Sequence, residues 1–239
     1  MVKKLLFVMS FVVLSLCSVA QNLQTHFDFG HMYKNLDARP NFTTTVEMFR
    51  PDSWGSTFFF VDMDYGSTVK GAYWEIAREI CFWQNSKMNW LSAHIEYDGG
   101  MSIGTSFNNS FLVGATYSGH SADFSKTWSI SLMYKAIPGT VGLDLSKDVH
   151  NFQITGVWGI NFAKGWCTFS GFIDFWREAR IWQGTEYIFL SEPQFWVNLN
   201  KIPKMEKVNL SIGTEVELSN NFVGKGFYAI PTIAAKWTF

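Results

Sequence analysis

Leu91-Ser92-Ala93-His94-Ile95-Glu96-Tyr97-Asp98 is the stretch that decides the fold. Leu91, Ala93, Ile95 and Tyr97 are apolar, and Ser92, His94 and Glu96 fall between them. A period of two sends the sets to opposite faces of a β-strand, whereas a helix would mix them around its circumference. The pattern recurs outward from this element. Phe58, Phe60, Asp62 and Asp64 oppose Phe59, Val61, Met63 and Tyr65; Thr168, Ser170, Asp174 and Trp176 oppose Cys167, Phe169, Ile173 and Phe175.

Twelve strands are predicted in all: Leu23–Gly30, Phe42–Phe49, Thr57–Tyr65, Ala72–Phe82, Met88–Asp98, Phe111–Gly119, Thr127–Lys135, Asn151–Asn161, Trp166–Trp176, Tyr187–Leu199, Val208–Leu218 and Phe227–Phe239. Gly99-Gly100 is expected to break the fifth, with Met101–Phe107 either extending it or opening the next. Arg78 falls on the apolar side of the fourth and is expected to mark a bulge or an inward turn of the wall. Pro193 removes one ladder donor from the tenth, which implies an edge, a bulge or a strand start.

The first residues have the three parts of a secretory signal: basic Lys3 and Lys4, an apolar run from Leu5 to Leu14, and small Ser18 and Ala20. The expectation is a cleaved leader over 1–20 and a single barrel domain over 21–239. The whole stretch from Leu5 to the expected cleavage site, about 15 residues, is short of the roughly 20 that a membrane-spanning helix needs. Leu16 before Cys17 argues against lipoprotein processing. Without Lys3 and Lys4, 17 of the 19 basic residues remain against 20 acidic ones, a formal charge of −3. No basic stripe calls for a nucleic-acid polymer. Cys81 and Cys167 can form one disulfide or stand as two small side chains in a wall, and they make no zinc cluster.

Aromatics are 18% of the chain, with 23 Phe and 11 Trp, yet after residue 20 there is no run of 18 apolar residues. A closed antiparallel transmembrane β-barrel reconciles the two, because only alternate residues of each strand need be apolar. The twelve strands with their connections average about 18 residues, enough for spans of roughly 9–11. Twelve is also even, as a single-chain bacterial barrel requires. The chain ends Lys236-Trp237-Thr238-Phe239, a terminal aromatic closing the last alternating run. The rival is a soluble β-sandwich, in which the apolar faces would turn inward.

In the barrel the polar faces line the lumen. The candidate lumen residues are His26, Asp28, Glu47, Phe58, Phe60, Asp62, Asp64, Glu75, Glu79, His94, Glu96, Asp174, Trp176, Glu192, Trp196 and Glu215. Glu217 shares their phase, and His26, Arg50, Arg78, His94, Arg177, Arg180 and Lys236 are the candidate cationic partners. Small barrels fill their interiors with paired charges for structural reasons alone. Phe58, Phe60, Trp176 and Trp196 are more telling, since aromatic faces beside hydrogen-bonding groups can stack a planar base. The same rings could instead plug the lumen. No phosphate loop and no His-Glu-x-x-His run appears, and neither cysteine has a metal-ligand neighbour pattern, so neither enzyme nor cofactor nor metal site is expected. The carboxylate pairs Asp62/Asp64 and Glu215/Glu217 could bind a cation, but rows of like charge more often await basic partners across the sheet.

Phe27-Asp28-Phe29-Gly30, Phe58-Phe59-Phe60-Val61-Asp62-Met63-Asp64, Trp74-Glu75-Ile76-Ala77-Arg78-Glu79, Gly171-Phe172-Ile173-Asp174-Phe175-Trp176 and Ser191-Glu192-Pro193-Gln194-Phe195-Trp196 follow one another in this order. In order and spacing the chain resembles the nucleoside-specific channel-forming porins, the Tsx-like outer-membrane family, and their Bacteroidetes relatives. The resemblance implies a narrow monomeric 12-stranded barrel in the bacterial outer membrane that passes nucleosides by diffusion. It would place Phe27 or its neighbours His26 and Asp28, Phe58, Phe60, Glu75 and Asp174 on the channel surface, although alternation turns Phe27 toward lipid. Sparse basic residues and the Arg78-Glu79 order depart from the family pattern. The expected function is selective passive diffusion of small polar solutes, plausibly nucleosides. The alternatives are a non-conducting structural or binding barrel and a barrel that takes an apolar, lipid-like ligand.

Overall fold

The computed structural model describes residues 20–36, 39–107, 109–138, 148–180 and 183–239; the expected leader lies outside the described residues, Ala20 apart. The strands are β1 Ala20–Asp28, β2 Phe42–Asp52, β3 Gly55–Tyr65, β4 Val69–Ile80, β5 Leu91–Ser102, β6 Thr105–Ser106, β7 Ser110–His120, β8 Lys126–Ala136, β9 His150–Phe162, β10 Cys167–Arg180, β11 Thr185–Ser191, β12 Gln194–Asn198, β13 Leu210–Asn220 and β14 Phe227–Thr238. Strands β11 and β12 form one stave interrupted at Glu192-Pro193, and β6 pairs only with β5. The remainder is an up-and-down antiparallel barrel of twelve staves, each hydrogen-bonded to its sequence neighbours. Asn22 to Asp28 pair with Thr238 back to Thr232, which joins β1 to β14 and closes the ring. Closure leaves no open edge, the condition for strands in hydrocarbon.

Sidedness follows from exposure. Leu132 is 62% exposed and Ile233 60%, while Gln24 and Thr116 are each 2% exposed. A soluble sandwich would invert those values, so the sandwich is excluded. The outward aliphatics Val46, Ile76, Ile95, Val113, Leu132 and Ile154 form a band around the wall. Outward aromatics flank it. Trp90 and Tyr117, Phe162 and Phe195, and Trp128 lie toward the rim that carries both chain ends, and Tyr97 and Phe111 and the stacked Phe175 and Tyr187 toward the other. Such girdles mark the two interfaces of a transmembrane barrel. Staves of about 11 residues, rising about 3.3 Å each and tilted about 40°, match an apolar band of about 25 Å.

All twelve expected strands are present, with local corrections. Gly99-Gly100 does not break β5, which runs on to Ser102 before turning into β6. These glycines make room instead: a Cβ on Gly100 would meet the Phe107 ring at 2.4 Å, and one on Gly99 the Trp74 indole at 2.8 Å. Arg78 produces neither bulge nor inward turn. It keeps the outward phase near the chain-end rim, where its guanidinium donates to both Asp52 carboxylate oxygens (2.6 and 2.9 Å) and to Thr57 Oγ1 (3.0 Å). The register shift in β4 lies at the other rim, opposite Asp64 and Tyr65. Cys81 and Cys167 are free thiols. In the turn between β7 and β8, Asp123 accepts from Ser121 Oγ (2.6 Å) and from Ser125 N and Oγ (3.1 and 2.8 Å). Those donors stabilise its charge and hold the carboxyl down at about 2.

Pro193 sits at a strand start, as expected, and its carbonyl still accepts from Val216 N (3.1 Å). Facing it on β10 is Gly171 at φ 152°. A Cβ there would lie 2.5 Å from the Glu192 carbonyl oxygen and 2.9 Å from Trp158. Gly171→Ala is therefore expected to cost about 1–3 kcal/mol in backbone strain alone. The check is the temperature at which the folded band converts to the unfolded one on a detergent gel, which should fall; an unchanged temperature would contradict this reading.

Candidate functional site in the barrel lumen

Alternation on twelve walls gathers the polar faces into one interior, and each candidate lumen residue holds the inward phase. On β1, Gln24, His26 and Asp28 face in. Asn22 Nδ2 donates to Glu47 Oε1 (2.8 Å), Gln24 Nε2 to Asn22 Oδ1 (2.9 Å), and His26 contacts Gln24 Oε1 (3.1 Å) and Thr232 Oγ1 (3.2 Å). Glu215 lies 3.6 Å from His26 and accepts from Gln194 Nε2 (2.6 Å). A second chain runs across β4, β5, β7 and β8. His94 lies between Glu79 (2.5 Å) and Glu96 (3.1 Å), Thr116 donates to Glu79 (2.7 Å), and Ser131 meets Thr116 at 2.7 Å. Asp62 and Asp64 accept from Thr45 (2.5 Å) and Thr43 (2.7 Å) across the β2–β3 pair. Asp174 faces in from β10, and Glu192, at the interrupted stave, interacts electrostatically with Glu215, Glu217, Asp62 and Arg39.

Packing of this interior is lopsided. Opposite β3, Trp176 packs on Ile188 and Leu190, with Phe172 and Phe222 against them. Trp176 Nε1 donates to Glu178 (3.0 Å). Trp196 has no exposure at all: Lys236 Nζ lies 4.1 Å from its ring centre, and its Nε1 donates to Gln194 (3.0 Å). Neither indole offers a free face. Along β2 to β4, by contrast, Glu47, Phe58, Phe60, Asp62, Asp64, Tyr73 and Glu75 are all part-exposed. There the rings of Phe58, Phe60, Tyr73 and Phe107 follow one another at centroid spacings of 6.0, 5.9 and 6.3 Å. This aromatic row runs beside a row of carboxylates, so a planar, hydroxyl-bearing solute could slide along one and donate to the other.

Several expected cations sit elsewhere. Arg50 and Arg78 have the outward phase, as does Arg177, which pairs with Asp148 (2.5 Å) at the rim. Arg180 donates to the Asn221 and Phe222 carbonyls (3.1 and 2.6 Å) and pairs with Glu178 (3.6 Å), the acid that also accepts from Trp176. Among the described residues, Lys236, His26 and His94 face inward as expected, and so do two cations that sequence reasoning missed. Lys135 reaches Asp98 (3.3 Å) and Gln153 (2.7 Å). Arg39, from the connection between β1 and β2, folds into the mouth and bridges Asp28 and Glu217, both at 2.7 Å. Asp98 and Tyr73 were also missed. Lys135, Asp98 and Tyr73 hold the inward phase of their strands and could have been found by counting in twos; Arg39 sits in a connection, where no phase exists.

A family model described as "Domain of unknown function (DUF5020)" matches residues 20–239. The chain belongs to the DUF5020 family. A comparison with curated protein sequences gives no match. Among solved structures, the chain is similar to the NanC porin, at 10% identity over 92% of this chain and 99% of that one, with a TM-score of 0.57. It also aligns with LpxR from Salmonella typhimurium (8% identity, 93% and 100% coverage, TM-score 0.45) and with the outer-membrane channel DcaP of Acinetobacter baumannii (9%, 92% and 96%, 0.41). The likeness of this DUF5020 barrel to NanC is one of fold.

Proposed function

We propose that this barrel lies in the bacterial outer membrane and passes small polar solutes by passive diffusion, with nucleosides as the favoured class. The supporting observation is the part-exposed strip on β2 to β4, where the rings of Phe58, Phe60 and Tyr73, continued by Phe107 after β6, border Glu47, Asp62, Asp64 and Glu75. A nucleobase would stack transiently on Phe58 and Phe60 while sugar hydroxyls donate to the carboxylates. Contacts of this kind are weak singly and repeated along the path, as conduction requires. The acidic lining disfavours anions and admits neutral or cationic solutes. His26, Asp28, Glu79, His94, Glu96, Asp174, Trp176, Glu192, Trp196 and Glu215 then support or border the path.

In planar bilayers the purified protein is expected to conduct, with cations favoured over anions and current reduced by added nucleosides. Liposomes carrying it should swell faster in nucleosides than in sugars of matched size. Failure of both would remove the channel reading. A closed binding barrel is the second reading, favoured by the apolar block of Trp176, Ile188, Leu190, Phe172 and Phe222.

A further inference from the structure

We propose that Glu75, Glu96 and Asp98, with Asp174 facing them, bind a single Ca²⁺ ion inside the barrel. The site does not depend on whether the barrel conducts.

Strand pairing builds it. Glu75 on β4 lies opposite Asp98 on β5, and Glu96 is two residues along β5, so all three carboxylates share the inward face. One oxygen from each lies within 4.8 Å of the other two. Oxygens on opposite sides of one Ca²⁺, each about 2.3–2.6 Å from the ion, are separated by about 4.6–5.2 Å, so a single ion can reach all three.

Protein donors do not satisfy the group. Glu75 accepts from Tyr73 Oη (2.7 Å), Glu96 from His94 (3.1 Å), and Asp98 Oδ2 from Lys135 (3.3 Å). Asp98 Oδ1 has no hydrogen-bond partner although the residue is only 3% exposed. Independently, on β10 across the interior, Asp174 is 9% exposed and its Oδ1 is also without a partner. Its charge interacts with those of Glu75 and Glu96. With Glu79, which shares His94, the region has five carboxylates against Lys135 and one histidine. With all five ionised the excess over the two cations would be three, and a divalent ion reduces it to one. Buried carboxylate oxygens without donors are costly, and a cation supplies what the side chains do not.

The donor set selects the ion. It is all oxygen, since both His94 ring nitrogens are already engaged by Glu79 and Glu96. Hard oxygen ligands suit Ca²⁺ or Mg²⁺ rather than zinc or copper. Ca²⁺ accepts irregular geometry and completes its shell with water, whereas Mg²⁺ demands a near-octahedral set at about 2.0–2.1 Å. Part-exposed Glu75 and Tyr73 give the ion an entry from the open strip.

The test is calorimetric titration of CaCl₂ into the full chain, stripped with chelator and held in lipid-free detergent micelles. One ion per chain is expected, with Mg²⁺ competing poorly. Glu75→Gln/Asp98→Asn should weaken binding by on the order of 10–100-fold or abolish it. Asp174→Asn, on the opposite wall, should weaken it less. Heat-modifiable gel migration checks that each variant folds. Infrared difference spectra of the wild type on adding Ca²⁺ give a readout that needs no variant: carboxylate bands should shift, and any protonated-carboxyl band should fall in step with binding, because a carboxyl that holds the ion gives up its proton. Absence of binding by the wild type, undiminished binding by the folded double variant, or carboxyl bands that Ca²⁺ leaves unmoved would each overturn the proposal.

Discussion

Arg39→Ala is expected to lower the barrel's thermal stability and widen its mouth together. Arg39 is the one described side chain of the β1–β2 connection that reaches both Asp28 and Glu217, at 2.7 Å each. Those carboxylates are each 4% exposed. Removing the guanidinium leaves two buried acids without their main counter-charge, a loss that costs about 3–5 kcal/mol where a buried pair is broken. It also removes the connection's link to the two lumen carboxylates, leaving weaker ties at this corner such as Asn35 Nδ2 to Tyr228 Oη (2.5 Å) and Tyr33 Oη to the Ala229 carbonyl (3.0 Å). The unfolding temperature on heated detergent gels should drop by several degrees, and single-channel conductance in planar bilayers should rise. Arg39→Lys should fall between, since an ammonium keeps the charge and loses the fork that engages two carboxylates at once. A variant with wild-type stability and conductance would show that the bridge neither secures nor narrows the mouth.

Phe58→Ala/Phe60→Ala is expected to act on selectivity rather than on stability. Both rings are part-exposed on the open strip, and Phe60 continues the aromatic row to Tyr73. Stacking of a base on an aromatic ring contributes about 1–3 kcal/mol, so losing two rings should weaken nucleoside block of the current by about tenfold to a hundredfold or more. Salt conductance should persist or increase. Phe59→Ala is the control: Phe59 lies on the outward face of the same strand and should leave block unchanged. A closed barrel behaves in the opposite way, with no wild-type conductance and a leak once the two rings are removed. The pair of variants therefore separates a selective channel from a plugged barrel in one experiment.

Much of this fold was legible because its code is local. On β5 the alternation of Leu91, Ala93, Ile95 and Tyr97 with Ser92, His94 and Glu96 is the same in the chain as in the barrel. A strand's two faces are set by backbone pleating and need no knowledge of its neighbours. The misreadings arose where a residue's usual local meaning was overridden by a neighbour far along the chain. Gly99-Gly100 reads as a strand break, yet serves as space for Phe107 and Trp74. Arg78 in an apolar phase reads as an irregularity, yet is held at the rim by Asp52 from two strands away. The interior was half legible. Phase placed the carboxylates inside, but Trp176 and Trp196 looked as open as Phe58 and Phe60, and only packing separated the covered indoles from the part-exposed rings.

The chain alone determines that there are twelve two-faced strands and which face of each is apolar, because both follow from the order of side chains along a pleated backbone. Tertiary structure decides which inward groups meet across the lumen. Glu75, Glu96 and Asp98 converge, Arg39 enters the mouth, and the aromatic row stays open while the opposite wall is filled. Such meetings depend on strand register and on how neighbouring staves curl into a ring, and those are set by hydrogen-bonding and packing between residues distant in sequence.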